Sequence, residues 1–407
     1  MAYELVRADL EALLLGGCFF GSGGGGTVVS AKSLVSNFQA GSYYPKDTVK
    51  VVTVEEATHG ESVMVAYMGA PEAIDGAKYP EGPVGAVQQV QARLAASGKK
   101  LAYVVPPESG ALGFTVACLV AARLGLSVVD ADGAGRAVPS LPMLTFAAQH
   151  VDPRPAFLVS QGGLAVELNV TPSQGSHGGD QHQQDVSEIV EQMMRPIVAD
   201  PEFDEFGGLA MWVMDPATLA KALPIRGTLS RALKFGQAIQ AGHLSTPKAV
   251  IEFLHKESGV KAQVIFGPGT IESAKVDTTG GFDLGTVRID SAHGSATVLY
   301  QNESLLAWDS AKPHPICLAP DGIAYFVEGA GQSVFSNGDL VLSDGSLNPA
   351  VKGRQVTLLG LSANAALRIP DGLILTSFMD LLGTMGYHGP YVPVEVLAHI
   401  KTQGNQS

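Results

Sequence analysis

Cysteine and basic charge are both scarce in this sequence. Its 407 residues include three cysteines, Cys18, Cys118 and Cys317, which lie far apart and form no C-x-x-C pair. This excludes a disulfide framework and a thiolate zinc site, and it favours buried free thiols in a reducing compartment. Lysine and arginine number 26 against 39 acidic residues, which gives a net charge of −13. Because binding to a phosphate backbone needs clustered basic side chains, we expect no nucleic-acid partner.

Long hydrophobic runs are missing as well. The longest one, residues 112–122, ends at Arg123 and is too short to cross a bilayer. The N-terminal segment carries Glu4, Asp9 and Glu11, where a signal peptide would be basic. We therefore expect a cytoplasmic protein with no membrane association.

The periodicity of the sequence predicts an α/β fold with two domains. Residues 49–130 alternate between short β-branched runs and longer helical ones, over 84–96 and 111–124, which is typical of βαβ units and a mainly parallel sheet. From about residue 262 to 375, short alternating runs separated by turn residues favour a small sandwich or barrel-like unit. We expect an N-terminal α/β domain in residues 1–165 and a C-terminal mixed α/β domain in residues 166–407.

Glycine is abundant and concentrated near the N-terminus. Gly21, Gly23 and Gly26 match the letters G-x-G-x-x-G, but the segment before them looks helical and no acid follows before Asp47. A dinucleotide fingerprint needs a strand before the first glycine and an acid about 20 residues on, so this one is rejected. The backbone N–H groups of the run could still face an anion or oxyanion ahead of a predicted helix over 29–38. A tight turn between two helices, with close backbone packing, is the alternative interpretation.

Carboxylates follow two of the predicted strands. Glu108 lies in VVPPESG, and Asp130 and Asp132 lie in VVDADGAGRAVPSLPM together with Arg136. Ligand sites in open α/β sheets gather beyond the carboxyl ends of strands, and paired carboxylates near an arginine suit acid–base work. The alternatives are a helix-start residue for Glu108 and an Asp-Gly turn neutralised by Arg136 for the pair.

A polar loop offers weaker metal-ligand candidates, namely His177, Asp180 and His182. Their spacing matches no helical zinc pattern, so a solvated loop is favoured over a divalent-metal site, and no cofactor is clearly indicated. The sequence also lacks G-x-S-x-G and the Walker G-x-x-x-x-G-K-[ST] pattern. These absences argue against serine hydrolase and P-loop ATPase chemistry.

A set of motifs occurs in an order that resembles a known family. The motifs are GSGGGG, PPESG, VVDADGAGRAVPSLPM, GTLSRALKFGQAI, TTGGFDLGTVRID, YQNESLLAW and GYHGPYVPVE. This series resembles the S-methyl-thiohydantoin desulfurase family, formerly a family of unknown function associated with hydantoinase/oxoprolinase proteins. The likeness covers nearly the whole chain, although Thr27 and Val28 stand where the family commonly has Asp-Pro.

The resemblance implies a hydrolase acting on small cyclic amide or S-methyl-thiohydantoin-like rings, in which water attacks the carbon bearing the S-methyl group and methanethiol leaves. For that chemistry we assign Asp130 or Asp132 as the base, Glu108 as a partner acid and Arg136 as a contact to a ring carbonyl. The backbone of the glycine run, Ser22, Gly23, Gly24, Gly25 and Gly26, would supply oxyanion donors. The alternative is a non-catalytic small-molecule-binding subunit that partners a hydantoinase-type enzyme. We also expect a homo-oligomer.

Overall fold

The computed structural model describes residues 2–400 except 70–73, 75, 172–185, 280–281, 330 and 343. Within these residues the chain has an α/β architecture with two eight-stranded sheets. The first sheet is mixed and carries most of the helices, and the second is antiparallel. The predicted fold class is therefore confirmed.

The first sheet has the strand order β1-β2-β5-β4-β3-β8-β6-β7. Its strands are β1 (Tyr3–Leu5), β2 (Val49–Val52), β3 (Glu61–Gly69), β4 (Leu101–Val105), β5 (Ser127–Val129), β6 (Ala156–Val159), β7 (Ala165–Leu168) and β8 (Phe206–Met214). Strands β2, β5, β4 and β3 pair in parallel, where the sequence predicted βαβ units. The remaining pairs are antiparallel, so the parallel part is extended at both of its edges.

Helices cover this sheet and connect it to the second one. They are α1 (Arg7–Phe20), α2 (Val28–Ser36), α3 (Glu81–Ala96), α4 (Ala111–Leu124), α5 (Thr145–Ala148), α6 (Val186–Val198), α7 (Pro216–Ala222), α8 (Thr228–Gln240), α9 (Pro247–Phe253), α10 (Leu373–Thr384) and α11 (Val394–Leu397). Helix α4 spans the predicted residues because its sequence is apolar on nearly every face and Gly125 ends it with a φ of 67°. It packs against α1, α2, α3 and the parallel strands, at the centre of the core.

The second sheet confirms the β-rich character predicted from residue 262. Its strands are β9 (Ala262–Thr279), β10 (Phe282–Ser291), β11 (Gly294–Gln301), β12 (Glu303–Asp309), β13 (Pro315–Leu318), β14 (Gly322–Val327), β15 (Val334–Phe335) and β16 (Val356–Leu361), in the order β13-β12-β11-β10-β9-β16-β14-β15. Strands β12 and β13 pack against β14, so the sheet curls back on itself around an apolar core.

The two sheets divide the chain between residues 214 and 262, well after residue 165. Strand β8 follows residue 165 in sequence, yet it lies between β3 and β6 in the first sheet. The domain boundary at residue 165 stays a prediction. The structure adds that residues on both sides of it build the first sheet.

Two properties of the described residues bear on the compositional arguments. All three cysteines are buried free thiols, as predicted. Across the described ranges, none of the helices is both long enough and apolar enough to traverse a bilayer.

Close packing of α1 on α8 depends on two glycines. We therefore expect a larger residue at either position to lower the stability of the protein. A Cβ at Gly16 would lie 2.5 Å from the Ala232 carbonyl carbon, and one at Gly236 would lie 2.5 Å from that of Ala12. Gly16→Ala should therefore lower the free energy of unfolding by about 1–3 kcal/mol, the usual cost of overpacking, in a urea titration.

The matched control is Gly383→Ala on α10, where the new Cβ would meet only the His388 ring at 3.8 Å. Because alanine is the better helix former, this change should stabilise the protein by up to about 1 kcal/mol. Equal effects of the two substitutions would contradict the packing argument.

Candidate functional site

A cavity of about 170 Å³ lies between the two sheets. One wall comes from the first sheet and the segment after β4, and the other comes from the turn between β11 and β12 and from residues near β15. The glycine run closes a third side. The lining is mostly apolar, with a few polar groups that converge: Glu108, Glu191, Arg195, Asp283, Asn302, Glu303 and Asn337. This combination is typical of a site for a small organic ligand.

The glycine run forms the turn between α1 and α2, and Gly23, Gly24, Gly25 and Gly26 line the cavity. Three of these glycines have positive φ values, between 71° and 88°, which other residues rarely adopt. The Gly25 carbonyl accepts a hydrogen bond from Leu112 N at 2.9 Å, and the Gly23 carbonyl accepts one from Asn337 N at 2.6 Å. The run is thus the tight turn between two helices that the sequence offered as one interpretation, and it also lines the cavity.

Thr27 begins α2 as its N-cap, since its side chain accepts a hydrogen bond from Ser30 N at 3.0 Å. Threonine oxygen caps helices much as an aspartate oxygen does.

Ser22, the first residue of the run, does not line the cavity. Its hydroxyl accepts a hydrogen bond from Ile323 N at 2.8 Å, and its carbonyl accepts one from Ser304 N at 2.8 Å. These bonds link Ser22 to the second sheet, and the backbone-donor role assigned to it stays a prediction of the sequence alone.

Glu108 lies where the sequence placed it, just beyond the end of β4. Its side chain lines the cavity, and its Oε2 accepts a hydrogen bond from Val138 N at 2.7 Å. Burial raises the pKa of this carboxyl well above its usual range, and the negative charge of Glu303 raises it further. Desolvation penalises the charged form, and a nearby like charge does the same.

Glu303 is the second carboxyl group of the cavity, and no local pattern singled it out. It begins β12 directly after Asn302, whose carbonyl accepts a hydrogen bond from Asn337 Nδ2 at 2.9 Å. The residue is 3% exposed, and its buried Oε2 has no hydrogen-bond partner among the described residues. An unpartnered buried oxygen on a residue that lines a cavity is rare in a folded protein, and it marks Glu303 as a candidate for function.

The ionisation of Glu108 depends on that of Glu303. Burial raises the pKa of Glu303 to about 8, against the opposing effects of the Arg136 charge and the Gly25 N–H group. Because the ionised Glu303 in turn raises the pKa of Glu108, the two do not readily ionise together. One neutral and one ionised carboxyl in a shared cavity is the arrangement that acid–base catalysis requires.

Helix α6 adds a cation to the cavity. Arg195 forms an ion pair with Glu191 one turn earlier, and its guanidinium lies 3.5 Å from the centroid of the Phe282 ring. Glu191 Oε2 also accepts a hydrogen bond from Leu141 N at 2.8 Å. Since Arg195 is held by both an acid and an aromatic ring, its positive charge has a fixed place in the cavity wall.

Asp130 and Asp132 do not line this cavity, and the role of base assigned to one of them stays a prediction of the sequence alone. Asp130 Oδ1 accepts hydrogen bonds from Leu229 N and Ser230 N at the start of α8. Asp132 Oδ1 accepts them from the two N–H groups of its own turn, at Ala134 and Gly135, and its Oδ2 accepts one from Ser109 Oγ at 2.7 Å. Both side chains are buried and held by donors, so their geometry favours positioning the loop over activating water.

Arg136 likewise does not line the cavity. Its guanidinium donates to the carbonyl oxygens of Ala137, Ser304, Pro320 and Asp321 at 2.8–3.1 Å. These bonds tie the loop that follows β5 to the second sheet, next to Glu303. The contact with a ring carbonyl stays a prediction of the sequence alone, and the charge of Arg136 acts on Glu303 in the cavity.

The weak metal candidates His177, Asp180 and His182 fall outside the described residues. In the part of the chain that the structure does describe, no group of three or more histidine, cysteine or acidic side chains is arranged to hold a metal ion. A divalent metal stays a prediction of the sequence alone.

Comparisons with known proteins found matches over nearly the whole chain. A family model described as the S-Me-THD-like N-terminal domain matches residues 8–170, and the S-Me-THD-like C-terminal domain matches residues 184–394. A crystal structure of a protein from Chromobacterium violaceum is 56% identical, covers 96% of this chain and 100% of its own, and superposes with a TM-score of 0.88. No curated protein gave a match.

Proposed function

The chain belongs to the S-Me-THD-like family, and we propose that it is a hydrolase that removes methanethiol from S-methyl-thiohydantoin-like rings. The observation that carries this proposal is the pair of buried carboxyl groups, Glu108 and Glu303, in one cavity. The apolar part of the lining suits a flat ring with an S-methyl group. The fixed Arg195 cation and the backbone of the glycine run supply polar contacts.

The pair suits this reaction because its members favour different protonation states. Ionised Glu303 acts as the base and is helped by the positive charge of Arg136 and the Gly25 N–H group. Glu108 keeps its proton while Glu303 is charged and acts as the acid. General acid–base catalysis by positioned side chains accelerates reactions by about 10²–10⁴-fold.

The proposed steps balance without a cofactor. Water oxygen bonds to the ring carbon that carries sulfur, Glu303 takes one water proton, and Glu108 gives its proton to the adjacent ring nitrogen. The carbon–sulfur bond then breaks, and sulfur takes the proton from Glu303 and leaves as methanethiol. The remaining hydroxyl proton returns to Glu108 as the new ring carbonyl forms. The products are a hydantoin and a thiol, and both carboxyl groups end as they began.

The pH dependence of turnover tests these roles. Because the pKa of Glu303 is raised to about 8, its basic form is a minor species at pH 6 and becomes the main one above pH 8. We expect kcat/KM for an S-methyl-thiohydantoin to rise with pH across this range, with an apparent pKa of about 8 for the pair. The measurement is thiol release at saturating and limiting substrate from pH 5.5 to 9.5.

If kcat/KM fell between pH 6 and pH 8 instead, the assignment of Glu303 as the base would be wrong. Complete absence of turnover by the isolated chain, with or without divalent metals, would reject the hydrolase itself. In that case the small-molecule-binding subunit is the function to pursue, by testing whether a hydantoinase-type partner co-purifies.

A further inference from the structure

A second cleft lies on the other side of the loop that follows β5, and of its lining residues the proposed hydrolysis uses only the charge of Arg136. The cleft has a volume of about 320 Å³, and none of the residues that line it also lines the first cavity. Residues 134–136 of the DADGAGR block, the segment before α8 and the loop after β16 meet there. Two of the sequence motifs, VVDADGAGRAVPSLPM and GTLSRALKFGQAI, thus contribute residues to a cleft that the proposed reaction leaves unexplained.

The lining of this cleft is strongly cationic in a protein of net charge −13. Arg136, Arg226, Arg231, Lys261 and Arg368 all line it, and no acidic residue of the described chain does. A concentration of positive charge against the overall balance of the protein is costly unless it attracts an anion.

Two of these cations are already neutralised. Arg226 forms an ion pair with Glu55, and Arg368 Nη1 lies 2.8 Å from Glu395 Oε1. Arg136, Arg231 and Lys261 have no carboxylate within ion-pair distance among the described residues. The hydrogen bonds of Arg136 go to uncharged carbonyl groups. Three positive charges at the cleft are therefore without a direct counter-ion.

Arg231 is the cation whose bonding is least complete. Its guanidinium lies 4.5 Å from the centroid of the Phe20 ring, and its Nη2 donates to the Gly135 carbonyl at 3.4 Å. Its buried Nε has no hydrogen-bond acceptor. The negative charges of Asp130 and Asp132 act on it from behind the loop, but the oxygens of those carboxylates are taken by other donors. Burial lowers the pKa of the Arg231 guanidinium, a cost that an anion in the cleft would offset.

We propose that this cleft binds the phosphate group of a small phosphorylated metabolite, with Arg231 and Lys261 as its principal cationic contacts. Arg231 and Lys261, which have no carboxylate within ion-pair distance among the described residues, favour a ligand with two negative charges. The planar fork of arginine matches phosphate oxygens in a bidentate manner. The volume of the cleft leaves room for more than a bare phosphate ion, within the range of about 300–1,000 Å³ that is usual for small-molecule sites.

Isothermal titration calorimetry of the full chain in chloride buffer at constant ionic strength tests this inference. The probes are glycerol 3-phosphate, inorganic phosphate and succinate, a carboxylate of similar charge. We expect one site per chain for glycerol 3-phosphate, with tighter binding than succinate. Inorganic phosphate binding as tightly would identify the free ion as the ligand, and weaker binding would identify the phosphomonoester. Succinate binding as well as either phosphate probe, or no binding by any of them, would overturn the proposal.

Variants separate this cleft from adventitious binding elsewhere. Arg231→Gln should weaken glycerol 3-phosphate binding by about tenfold or more, the effect of losing charged hydrogen bonds. Lys261→Gln should weaken it several-fold, and because Lys261 is exposed this variant should fold even if Arg231→Gln does not. The control is Arg93→Gln, an exposed arginine on α3 outside the cleft. Unchanged affinity in Lys261→Gln and Arg231→Gln would refute the assignment, whatever the outcome for hydrolysis.

Discussion

Glu303→Gln is expected to lower the rate of methanethiol release by about 10²–10⁴-fold, because it removes the proposed base while keeping the shape of the side chain. The Gln carbonyl oxygen can still accept the hydrogen bond from the Gly25 N–H group. Burial favours the neutral carboxyl, so a neutral amide in its place should leave the thermal unfolding midpoint at pH 7 unchanged or higher. Loss of activity without loss of stability is the expected signature.

The control for this variant is Glu272→Gln, which removes an exposed carboxylate on β9 that does not line the cavity. We expect wild-type turnover and stability from it. Glu108→Gln should lose activity to a similar extent, since Gln can donate a hydrogen bond but cannot transfer a proton. If Glu303→Gln kept more than a tenth of the wild-type rate, the acid–base assignment would be wrong.

Gly24→Ala is expected to reduce turnover by at least about 10²-fold by moving the same carboxyl group. A Cβ at this position would lie 2.5 Å from Glu303 Cγ and even closer to Glu303 Oε1, so the carboxyl group must shift. Misplacement of a reacting group by about 1 Å can cost 10²-fold in rate. The measurements are kcat/KM and the unfolding midpoint of the variant.

Gly41→Ala is the matched control, because a Cβ there meets no atom within 4 Å and the backbone is not in the positive-φ region. This variant should keep the activity and stability of the wild type. If Gly24→Ala retained full activity as well, then the contact between the glycine run and Glu303 would not matter for function.

Local sequence patterns predicted the parts of the fold that depend on nearby residues. Helix α4 was predicted over its full length because its apolar sequence is bounded by Gly110 and Gly125. The parallel strands β2 to β5 were predicted from βαβ spacing. The position of β8 in the sheet could not be predicted in this way, because its pairing with β3 and β6 depends on contacts between residues far apart in sequence.

The candidate site, like the fold, could be predicted only where local sequence determines it. Glu108 was a candidate because it directly follows a strand, and it does line the cavity. Glu303 was missed because only the curling of the second sheet brings it opposite Glu108; its sole signal was its place in YQNESLLAW. Asp130 and Asp132 had the spacing of a catalytic pair, but α8 and their own turn supply the donors that hold them. Residue type and spacing do not reveal which oxygens a fold has already used.

The cavity also explains why one domain would not suffice. The first sheet brings Glu108, the turn between the first two helices brings the glycine wall, and the second sheet brings Glu303. Arg136 joins the loop after β5 to the second sheet and places its charge near Glu303. The proposed active site is therefore assembled only when all three parts pack together.

The most direct test of the proposed hydrolysis is turnover of an S-methyl-thiohydantoin by the purified chain in water enriched in ¹⁸O. The hydantoin product is then analysed by mass spectrometry. If Glu303 activates water for attack on the carbon that bears sulfur, each hydantoin should carry one ¹⁸O atom at that carbon, and one methanethiol should be released per ring. Hydantoin without the label, or no methanethiol at all, would contradict the proposed function.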